Sequence, residues 1–378
     1  MIRVNSRESG SFKLPGLGYV AYGVNKFFDK FKSFSFFLDK LETLSLQDDI
    51  GKIKIKKPIY ITGLARAGTT ITLEMLSKHL DVATHQYKHI LMPYLPYWFS
   101  LIADKMNIYT KPFERFHKDG IIVTRESPEA VEEVLWRKFF HNYPIENISN
   151  VLNAETSNHK FESFYRAHLR KLIYYQNRSR YLAKNNYHVS RLEYLLRLFP
   201  DAKFLIIVRN PINHIASLIK QTKLFIKMET QHPLLIEWLK ITGHNEFGHH
   251  QLCINLGNEE LIHKIHKLWS KKGEYVKGWA HYWKSIYNFL ANQLEMNKKL
   301  KKASFIVRYH DLCAKPEIVI DEILKHLELK INVFETVKEY YIQHLQEPTY
   351  YNPDFTQNDI DNILEITKET ANRFGLHF

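Results

Sequence analysis

The sequence has few cysteines and no long apolar run, so it offers little from which to build disulfide bonds or membrane-spanning segments. Its 378 residues include two cysteines, Cys253 and Cys313, which give no disulfide framework and suit a reducing compartment. The longest apolar stretch, 91–103, is interrupted by prolines and is too short to cross a bilayer. No charged-then-apolar secretory leader follows Met1. We therefore expect a soluble, cytoplasmic protein.

Acidic residues are also in short supply. There are 40 Asp and Glu against 53 Lys and Arg, which gives a formal net charge of +13 and favours an anionic partner. No nucleic-acid-reading module and no interleaved aromatic platform accompanies the basic clusters. We therefore expect them to be solvated faces that steer a charged nucleotide, and we expect no nucleic-acid partner. The clusters are Lys52, Lys54, Lys56 and Lys57; Lys220, Lys223 and Lys227; and Lys298, Lys299, Lys301 and Lys302.

A strand, a loop and a helix are predicted over residues 58–80. A run of β-branched and aromatic residues ends at Gly63, and from Gly68 onward leucines recur at a helical spacing. Glycine can take backbone angles closed to other residues, and a helix start offers unpaired N–H groups and a positive dipole end. The segment is therefore predicted to hold an anion such as phosphate or sulfate. The alternative is an ordinary strand-to-helix turn.

This loop lacks the lysine of a nucleoside-triphosphate P-loop, because position 69 is Thr. The two later segments with the clearest strand pattern end in Val208-Arg209 and Val307-Arg308-Tyr309. Neither is followed directly by an Asp that could bind magnesium. The anion is thus expected to be held by Arg66, Thr69, Thr70 and backbone groups without a metal. The histidines of 228–275 also lack a metal-site spacing, so we expect no metal there.

Two later segments repeat the strand-then-helix pattern, at 203–220 and 304–327. Residues 203–208 form a continuous apolar run, which is typical of a strand buried on both faces of a parallel sheet. Arg209 follows it, and Ser217 lies in the next helix, both toward the edge where open α/β sheets bind ligands. A structural ion pair is the alternative for Arg209. The predicted fold class is α/β, a P-loop-like three-layer fold with a central, mainly parallel sheet flanked by helices and carrying helical insertions.

The rest of the chain is predicted from periodicity. Residues 1–51 are expected to be a helical extension and 52–378 the α/β domain. A helix at 22–46 is amphipathic through Phe27, Phe28, Phe31, Phe34 and Phe37; we expect it to pack on the core, with peripheral membrane contact or a dimer contact as the alternatives. The other predicted elements are helices at 127–140, 157–181, 190–199, 278–294 and 357–374, a strand at 187–189, an aromatic segment at 87–116 and a loop-rich insertion at 228–275.

Together the three units resemble the sulfotransferases that use 3′-phosphoadenosine-5′-phosphosulfate, and they are more similar to the tyrosylprotein and bacterial branch than to the cytosolic steroid and phenol branch. The resemblance covers about residues 58–330. It implies that Arg209 and Ser217 bind the 3′-phosphate and that Tyr309 lies near the adenine. It also implies that Lys184 contacts the transferring group, with a surface lysine as the alternative. The residues implied to bind the 5′-phosphosulfate are Arg66, Ala67, Gly68, Thr69 and Thr70.

The sequence departs from the family pattern at three places. Ala67 stands where Ser is common, His310 stands where Glu is usual, and neither Gln86 nor Tyr87 is the carboxylate that the tyrosylprotein branch uses as a base. A histidine can serve as a base at neutral pH. The candidates are His85 and His117, the latter with Asp119 close enough in sequence to orient it, and further candidates are His89, Glu132 and Glu133. For each of these, a surface or packing role is the alternative.

The sequence thus predicts direct in-line transfer of a sulfuryl group to a hydroxyl, or an amine, of an acceptor. The expected catalytic residues are Arg66, Lys184, His117 and His85. The rival interpretations are a P-loop kinase or other nucleotide transferase, and a degenerate sulfotransferase fold that binds anionic glycans or a protein partner. The acceptor is a small molecule, a glycan, a lipid or a peptide, and the sequence does not select among them.

Overall fold

The fold was taken from a computed structural model, which describes residues 16–106, 111–115, 117, 121–140, 145–347 and 354–377. Within these residues five strands form one parallel sheet in the order β2-β5-β1-β6-β7, and β3 and β4 form a separate antiparallel pair. The strands are β1 (Ile59–Thr62), β2 (Val82–Thr84), β3 (Phe113–Glu114), β4 (Ile122–Val123), β5 (Arg180–Lys184), β6 (Lys203–Val208) and β7 (Ser304–Arg308).

Helices cover both faces of this sheet. The helices from the N-terminus to the middle of the chain are α1 (Gly16–Lys30), α2 (Lys32–Ser45), α3 (Gln47–Ile50), α4 (Thr69–Leu76), α5 (Pro96–Lys105), α6 (Glu133–Phe139), α7 (His159–Tyr175), α8 (Leu192–Leu198) and α9 (Pro211–Gln231). Those that follow are α10 (Pro233–Thr242), α11 (Glu259–Ser270), α12 (Tyr275–Met296), α13 (Lys298–Ala303), α14 (Tyr309–Ala314), α15 (Pro316–Leu327), α16 (Glu335–His344) and α17 (Gln357–Arg373).

The central strands are buried on both sides, which explains their continuous apolar sequences. Along β6, Phe204 and Ile206 pack into one hydrophobic cluster, whereas Leu205 and Ile207 pack into another on the opposite face. Side chains alternate in direction along a strand, so both faces must be apolar. The α/β prediction, with helices on both faces of a parallel sheet, is confirmed.

Two local predictions are wrong around β5, and β5 itself was not predicted. The helix predicted over 157–181 ends at Tyr175, because Asn177 takes a left-handed φ of 49° and the chain then enters β5. The strand predicted at 187–189 is a 3₁₀ helix, Asn186–Ser190. The short apolar strand at 180–184 was hidden by the helical pattern before it, since periodicity does not separate short apolar runs.

The helix predicted over 127–140 starts only at Glu133. Ser127 does not cap it: its Oγ accepts a hydrogen bond from the Thr124 N–H at 2.9 Å, and its carbonyl accepts one from Tyr87 N at 2.9 Å. The Glu129 N–H donates to the His85 carbonyl at 3.0 Å. Extended pairing with residues 85–87 therefore replaces the predicted first turns of the helix.

The insertion at 228–275 is mostly helical and not loop-rich. It contains the end of α9, all of α10 and all of α11, the last capped by the Asn258 side chain, which accepts a hydrogen bond from Leu261 N. Asn, Gly and His in this stretch suppressed the helical signal, although tertiary contacts stabilise the helices.

The single helix predicted at 22–46 is instead two helices, α1 and α2, which meet at Phe31. Phe28 is buried, but Phe27, Phe31, Phe34 and Phe37 are exposed, so the expectation that this face packs on the core is wrong for four of the five phenylalanines. Among the described residues, no helix combines the length and the apolar character needed to cross a membrane.

Candidate active site

The loop between β1 and α4 is held by contacts that leave room only for glycine at two positions. Gly63 has a φ of +140°, and a Cβ there would lie 2.5 Å from the Ile207 carbonyl oxygen of β6. Gly68 has a φ of +109°, and its Cβ would lie 2.3 Å from the Tyr309 ring. Between them Arg66 also takes a left-handed φ, of 71°. The loop is therefore clamped between β6 and the residue that follows β7.

The structure brings Arg209 and Ser217 to this loop. A terminal guanidinium nitrogen of Arg209 donates to the Arg66 carbonyl at 3.1 Å, and Arg66 Nε donates to Ser217 Oγ at 3.4 Å. The Arg209 guanidinium lies 5.2 Å from the centre of the Tyr309 ring. Because β1, β6 and β7 are adjacent and parallel, the groups at their carboxyl ends meet at one edge.

Two buried residues that sequence reasoning missed support the loop from behind. His214 Nδ1 accepts a hydrogen bond from Trp283 Nε1 at 3.2 Å, so its Nε2–H donates to the Ala65 carbonyl at 2.8 Å. Burial lowers the pKa of His214 to about 3, so the ring is neutral. The Tyr287 hydroxyl donates to the Ile207 carbonyl at 3.0 Å and accepts from Leu64 N at 3.4 Å. Each partner is distant in sequence, so no spacing could have revealed these contacts.

A pocket opens beside the loop and encloses about 1160 Å³ of space, the solvent at its mouth included. Its polar side includes Arg66, Thr69, Thr70 and Lys184. The opposite wall is apolar and comes largely from α6, α9 and α10, with the loop that follows α10. The residues of this wall are Val131, Val134, Phe225, Leu235, Trp238, Leu239 and Phe247.

Lys184 lies at the end of β5 and is a pocket residue. Burial lowers its pKa from the usual 10.5, while the Glu246 and Glu129 carboxylates favour the charged form. Both carboxylates also line the pocket. Lys184 is thus a half-buried lysine that lines a cavity together with two carboxylates.

Several side chains of the pocket can accept a proton. His117 packs on Phe225 and Phe247, with ring centres 5.4 and 6.5 Å away. His244 Nδ1 lies 3.8 Å from a Glu246 carboxylate oxygen, and Asn186 Nδ2 donates to Glu246 at 3.2 Å. Sequence reasoning missed His244 and Glu246 because 228–275 was read as an insertion, and it missed Glu129 because that residue was assigned to the first turn of a helix that starts only at Glu133.

His85 does not line the pocket. It is fully buried, with Nδ1 3.0 Å from the Tyr181 hydroxyl and Nε2 2.9 Å from His168 Nε2. Burial lowers the pKa of His85 to about 4. A base must reach the acceptor proton, and this position argues against that role. His89 is likewise enclosed and hydrogen-bonded to Ser100 Oγ at 2.9 Å.

Glu132 and Glu133 are structural as well. Glu132 accepts hydrogen bonds from Tyr181 at 2.7 Å and from His188 at 2.8 Å. Burial alone would raise the pKa of Glu132, but the His188 contact outweighs it and the pKa is about 2. Glu133 accepts two hydrogen bonds from Arg191, at 2.8 and 2.9 Å.

Of the remaining loop residues, Ala67 and Thr69 are buried, and Ala67 N donates to the Leu64 carbonyl at 3.2 Å. Asp119, the suggested partner of His117, lies outside the described residues. His310 is exposed, and its Nδ1 lies 2.9 Å from a Glu347 carboxylate oxygen. It does not line the pocket.

One group in the described part of the chain runs against the expectation of no metal ligands near 228–275. Ligand atoms of Glu146, Cys253 and His266 all lie within 4.8 Å of one another. In the structure these groups are bonded to each other, since His266 Nε2 lies 2.8 Å from a Glu146 carboxylate oxygen that also accepts from Cys253 N. They do not line the pocket.

Comparison with known proteins yields a match to one family model and a shared fold. Residues 58–231 match a model described as "Sulfotransferase family". The sulfotransferase STF9 from Mycobacterium avium superposes with a TM-score of 0.55 at 12% identity, over 89% of this chain and 82% of the other. The sulfotransferase STF1 from Mycobacterium tuberculosis H37Rv matches at 16% identity over 95% of this chain and 90% of the other, with a TM-score of 0.46.

No functionally curated protein matches the chain significantly. The family match spans the Gly63–Thr70 loop, Lys184, Arg209 and Ser217. Residues 58–231 thus match the model of the sulfotransferase family, and the chain shares its fold with a bacterial sulfotransferase.

Proposed function

We propose that this protein transfers the sulfuryl group of 3′-phosphoadenosine-5′-phosphosulfate to a hydroxyl of an acceptor bound in the apolar part of the pocket. The observation that carries the proposal is the meeting of two anion-binding segments that are far apart in sequence. Arg66 Nε lies 3.4 Å from Ser217 Oγ, and Arg209 bonds the Arg66 backbone at 3.1 Å. A nucleotide with phosphates at both 3′ and 5′ positions needs two such segments on one surface.

The 5′-phosphosulfate fits the loop and the start of α4. The first N–H groups of a helix have no partner within the helix, and with the helix dipole they favour an anion. Thr69 and Thr70 add hydroxyls and Arg66 adds a cation. Arg209 and Ser217 take the 3′-phosphate, and the Tyr309 ring, beside Arg209, lies where the adenine would stack.

Transfer proceeds in line. The acceptor oxygen forms a bond to sulfur as the bond from sulfur to the bridging phosphate oxygen breaks, and adenosine 3′,5′-bisphosphate leaves. Arg66 and Lys184 stabilise the charge that develops on the sulfuryl and bridging oxygens, because both line the pocket beside the loop. No metal ion takes part in the proposed transfer.

The acceptor proton passes to His244. Burial disfavours the charged imidazole, but the Glu246 carboxylate outweighs it and raises the pKa of His244 above 6.5. Glu246 accepts a hydrogen bond from Asn186 and lies 3.8 Å from His244 Nδ1, which is close enough to stabilise the charged imidazole. His117 is the competing candidate on the apolar wall.

The donor half of the proposal is tested by titration calorimetry with adenosine 3′,5′-bisphosphate. We expect saturable binding that needs no magnesium and that weakens at least about tenfold in Arg209→Ala, because a charged hydrogen bond contributes about 1.5–3 kcal/mol. The matched control is Arg308→Ala, since Arg308 is exposed and paired with Asp311 at the end of the neighbouring strand. No binding, or equal loss in both variants, contradicts the donor site.

The transfer half is tested separately with radiolabelled donor and a cell extract. We expect labelled products with the native protein and none with Lys184→Ala that still binds the bisphosphate. Binding of Mg-ATP in place of the bisphosphate would instead favour a kinase.

A further inference from the structure

Helix α2 places four of its apolar residues toward solvent. Phe34, Phe37, Leu41 and Leu44 are each between 39% and 55% exposed. Their spacing of three, four and three residues puts them on one stripe of the helix. The inner side of α2 combines the buried polar residues Ser35, Asp39 and Glu42 with Phe36 and Leu38, which pack on the protein. Helix α2 therefore carries a second apolar stripe that the fold leaves in solvent.

The polar inner face fixes the rotation of α2. Lys171 of α7 is fully buried, and its Nζ lies 2.7 Å from an Asp39 carboxylate oxygen and 2.9 Å from Glu42. The other Glu42 oxygen accepts hydrogen bonds from Tyr97 N and Trp98 N, at the start of α5. Turning the apolar stripe inward would leave a buried lysine without its carboxylates, so the outward stripe is a property of the fold.

The stripe continues onto α1. Phe27 and Phe31 are exposed, and the Phe27 ring centre lies 4.8 Å from that of Phe31 and 6.0 Å from that of Phe34. The two helices thus share one aromatic surface. We call the exposed residues Phe27, Phe31, Phe34, Phe37, Leu41 and Leu44 the α1–α2 surface.

Positive charge surrounds the α1–α2 surface. Exposed lysines at 30, 32 and 40 flank it, and Lys30 Nζ lies 5.6 Å from the Phe31 ring. A fourth lysine, Lys26, is paired with Glu237. Among the described residues of α1 and α2, Asp29 is the exposed acid, because Asp39 and Glu42 face the buried lysine.

We propose that the α1–α2 surface docks on an anionic phospholipid bilayer, with both helices lying along the interface. An amphipathic helix pair with aromatic and aliphatic residues on the outer face and lysines beside them matches the chemistry of a lipid headgroup boundary. A second copy of this chain fits less well. In a two-fold interface the same lysines would oppose one another, so charge complementarity favours the bilayer.

The docking helices are joined to the pocket wall. Trp238 Nε1 of α10 donates to Asn25 Oδ1 of α1 at 3.0 Å, and the Tyr22 hydroxyl bonds Glu237. Trp238 is also a pocket residue. The α1–α2 surface is therefore connected to the apolar pocket wall through α10.

The test is sedimentation of the full-length protein with lipid vesicles. We expect binding to vesicles of equimolar phosphatidylcholine and phosphatidylglycerol, weaker binding to pure phosphatidylcholine, and a decrease with added salt. Phe37→Ser combined with Leu44→Ser should weaken binding at least about tenfold, since each side chain gives up apolar burial. Lys30→Gln with Lys32→Gln should weaken binding to the anionic vesicles alone.

Matched controls come from exposed residues elsewhere. Ile318→Ser with Tyr340→Ser, and Lys298→Gln with Lys299→Gln, should bind as the native protein does. Light scattering after size exclusion gives the mass of each variant. If the native protein is a dimer and the double variant Phe37→Ser with Leu44→Ser is a monomer, the surface belongs to a second copy of the chain. That result would overturn the proposal. So would absence of binding to anionic vesicles, or equal binding by the Phe37/Leu44 variant.

Discussion

At the scale of single residues, the loop between β1 and α4 depends on the missing side chain of Gly68. Gly68 combines a positive φ with a close contact to the Tyr309 ring, so a Cβ at this position would displace the ring that we propose to lie beside the adenine. The spacing of the loop glycines identifies Gly68 in the sequence. It does not identify the contact with Tyr309, which lies 241 positions later in the chain.

We expect Gly68→Ala to lose both loop conformation and nucleotide affinity. Its Cβ would overlap the Tyr309 ring, and the left-handed backbone costs about 1–3 kcal/mol for a non-glycine residue. Binding of adenosine 3′,5′-bisphosphate should weaken at least about tenfold, measured by calorimetry, with a lower thermal midpoint. Gly23→Ala is the control, because nothing lies within 4 Å of its added Cβ and alanine favours the helix. Equal effects in the two variants would contradict this account.

A second residue-scale prediction concerns the proposed base. His244 must be neutral to accept a proton, and Glu246 raises its pKa above 6.5, so the transfer rate should rise with pH through that pKa. His244→Asn should lower kcat at least about a hundredfold and abolish this rise.

Glu246→Gln provides the diagnostic shift. It removes the carboxylate that raises the pKa of His244, so the rising limb of the pH–rate profile should move to lower pH. His117→Asn should keep the limb in place. If His117→Asn abolishes the limb while His244→Asn keeps it, the base is His117.

At the scale of elements, α6 is held by a buried ion pair and not by the predicted cap. Glu133 accepts two hydrogen bonds from Arg191 before α8 and one at 2.8 Å from Asn185, which follows β5. The pair thus fixes the chain on both sides of the 3₁₀ helix after Lys184. A carboxylate that sequence analysis considered for catalysis has a structural role.

We expect Glu133→Gln to destabilise the protein by about 3 kcal/mol, because Arg191 would stay buried with its charge uncompensated. Urea unfolding measures this change. Glu365→Gln is the control, since Glu365 is exposed in the middle of α17. If the folded Glu133 variant loses transfer activity without losing stability, the structural assignment is wrong.

At the scale of the whole molecule, several histidines are buried in the neutral form. Burial lowers the pKa of His85 to about 4 and of His214 to about 3, and lowers those of His89 and His168 well below 6.5. The unfolded chain therefore binds more protons than the folded one below pH 6.5. Stability is fully present above that pH and is lost as the pH falls toward the folded-state values.

We expect the free energy of unfolding to decrease between pH 8 and pH 5, by about 2 kcal/mol for each such histidine. His85→Gln should make that decrease smaller by about 2 kcal/mol, the contribution of one buried histidine, as measured by urea unfolding at both pH values. His159→Gln should leave it unchanged, because the His159 side chain is 94% exposed. An unfolding free energy that does not change between these pH values would contradict the neutral burial of the histidines.

The sequence by itself determined the α/β class and the three strand ends that meet at the pocket edge, because continuous apolar strands and a glycine-bearing loop are local patterns. Arg66, Arg209 and Ser217 could be named from those patterns and from the family resemblance. The tertiary structure decided which side chains share one cavity. His85 and Lys184 lie on adjacent sheet segments, yet only Lys184 reaches the pocket. The packing and charge pairing of distant helices decide the positions of His244, of the pocket wall at Trp238 and of the outward face of α2. Periodicity along one helix does not encode these positions.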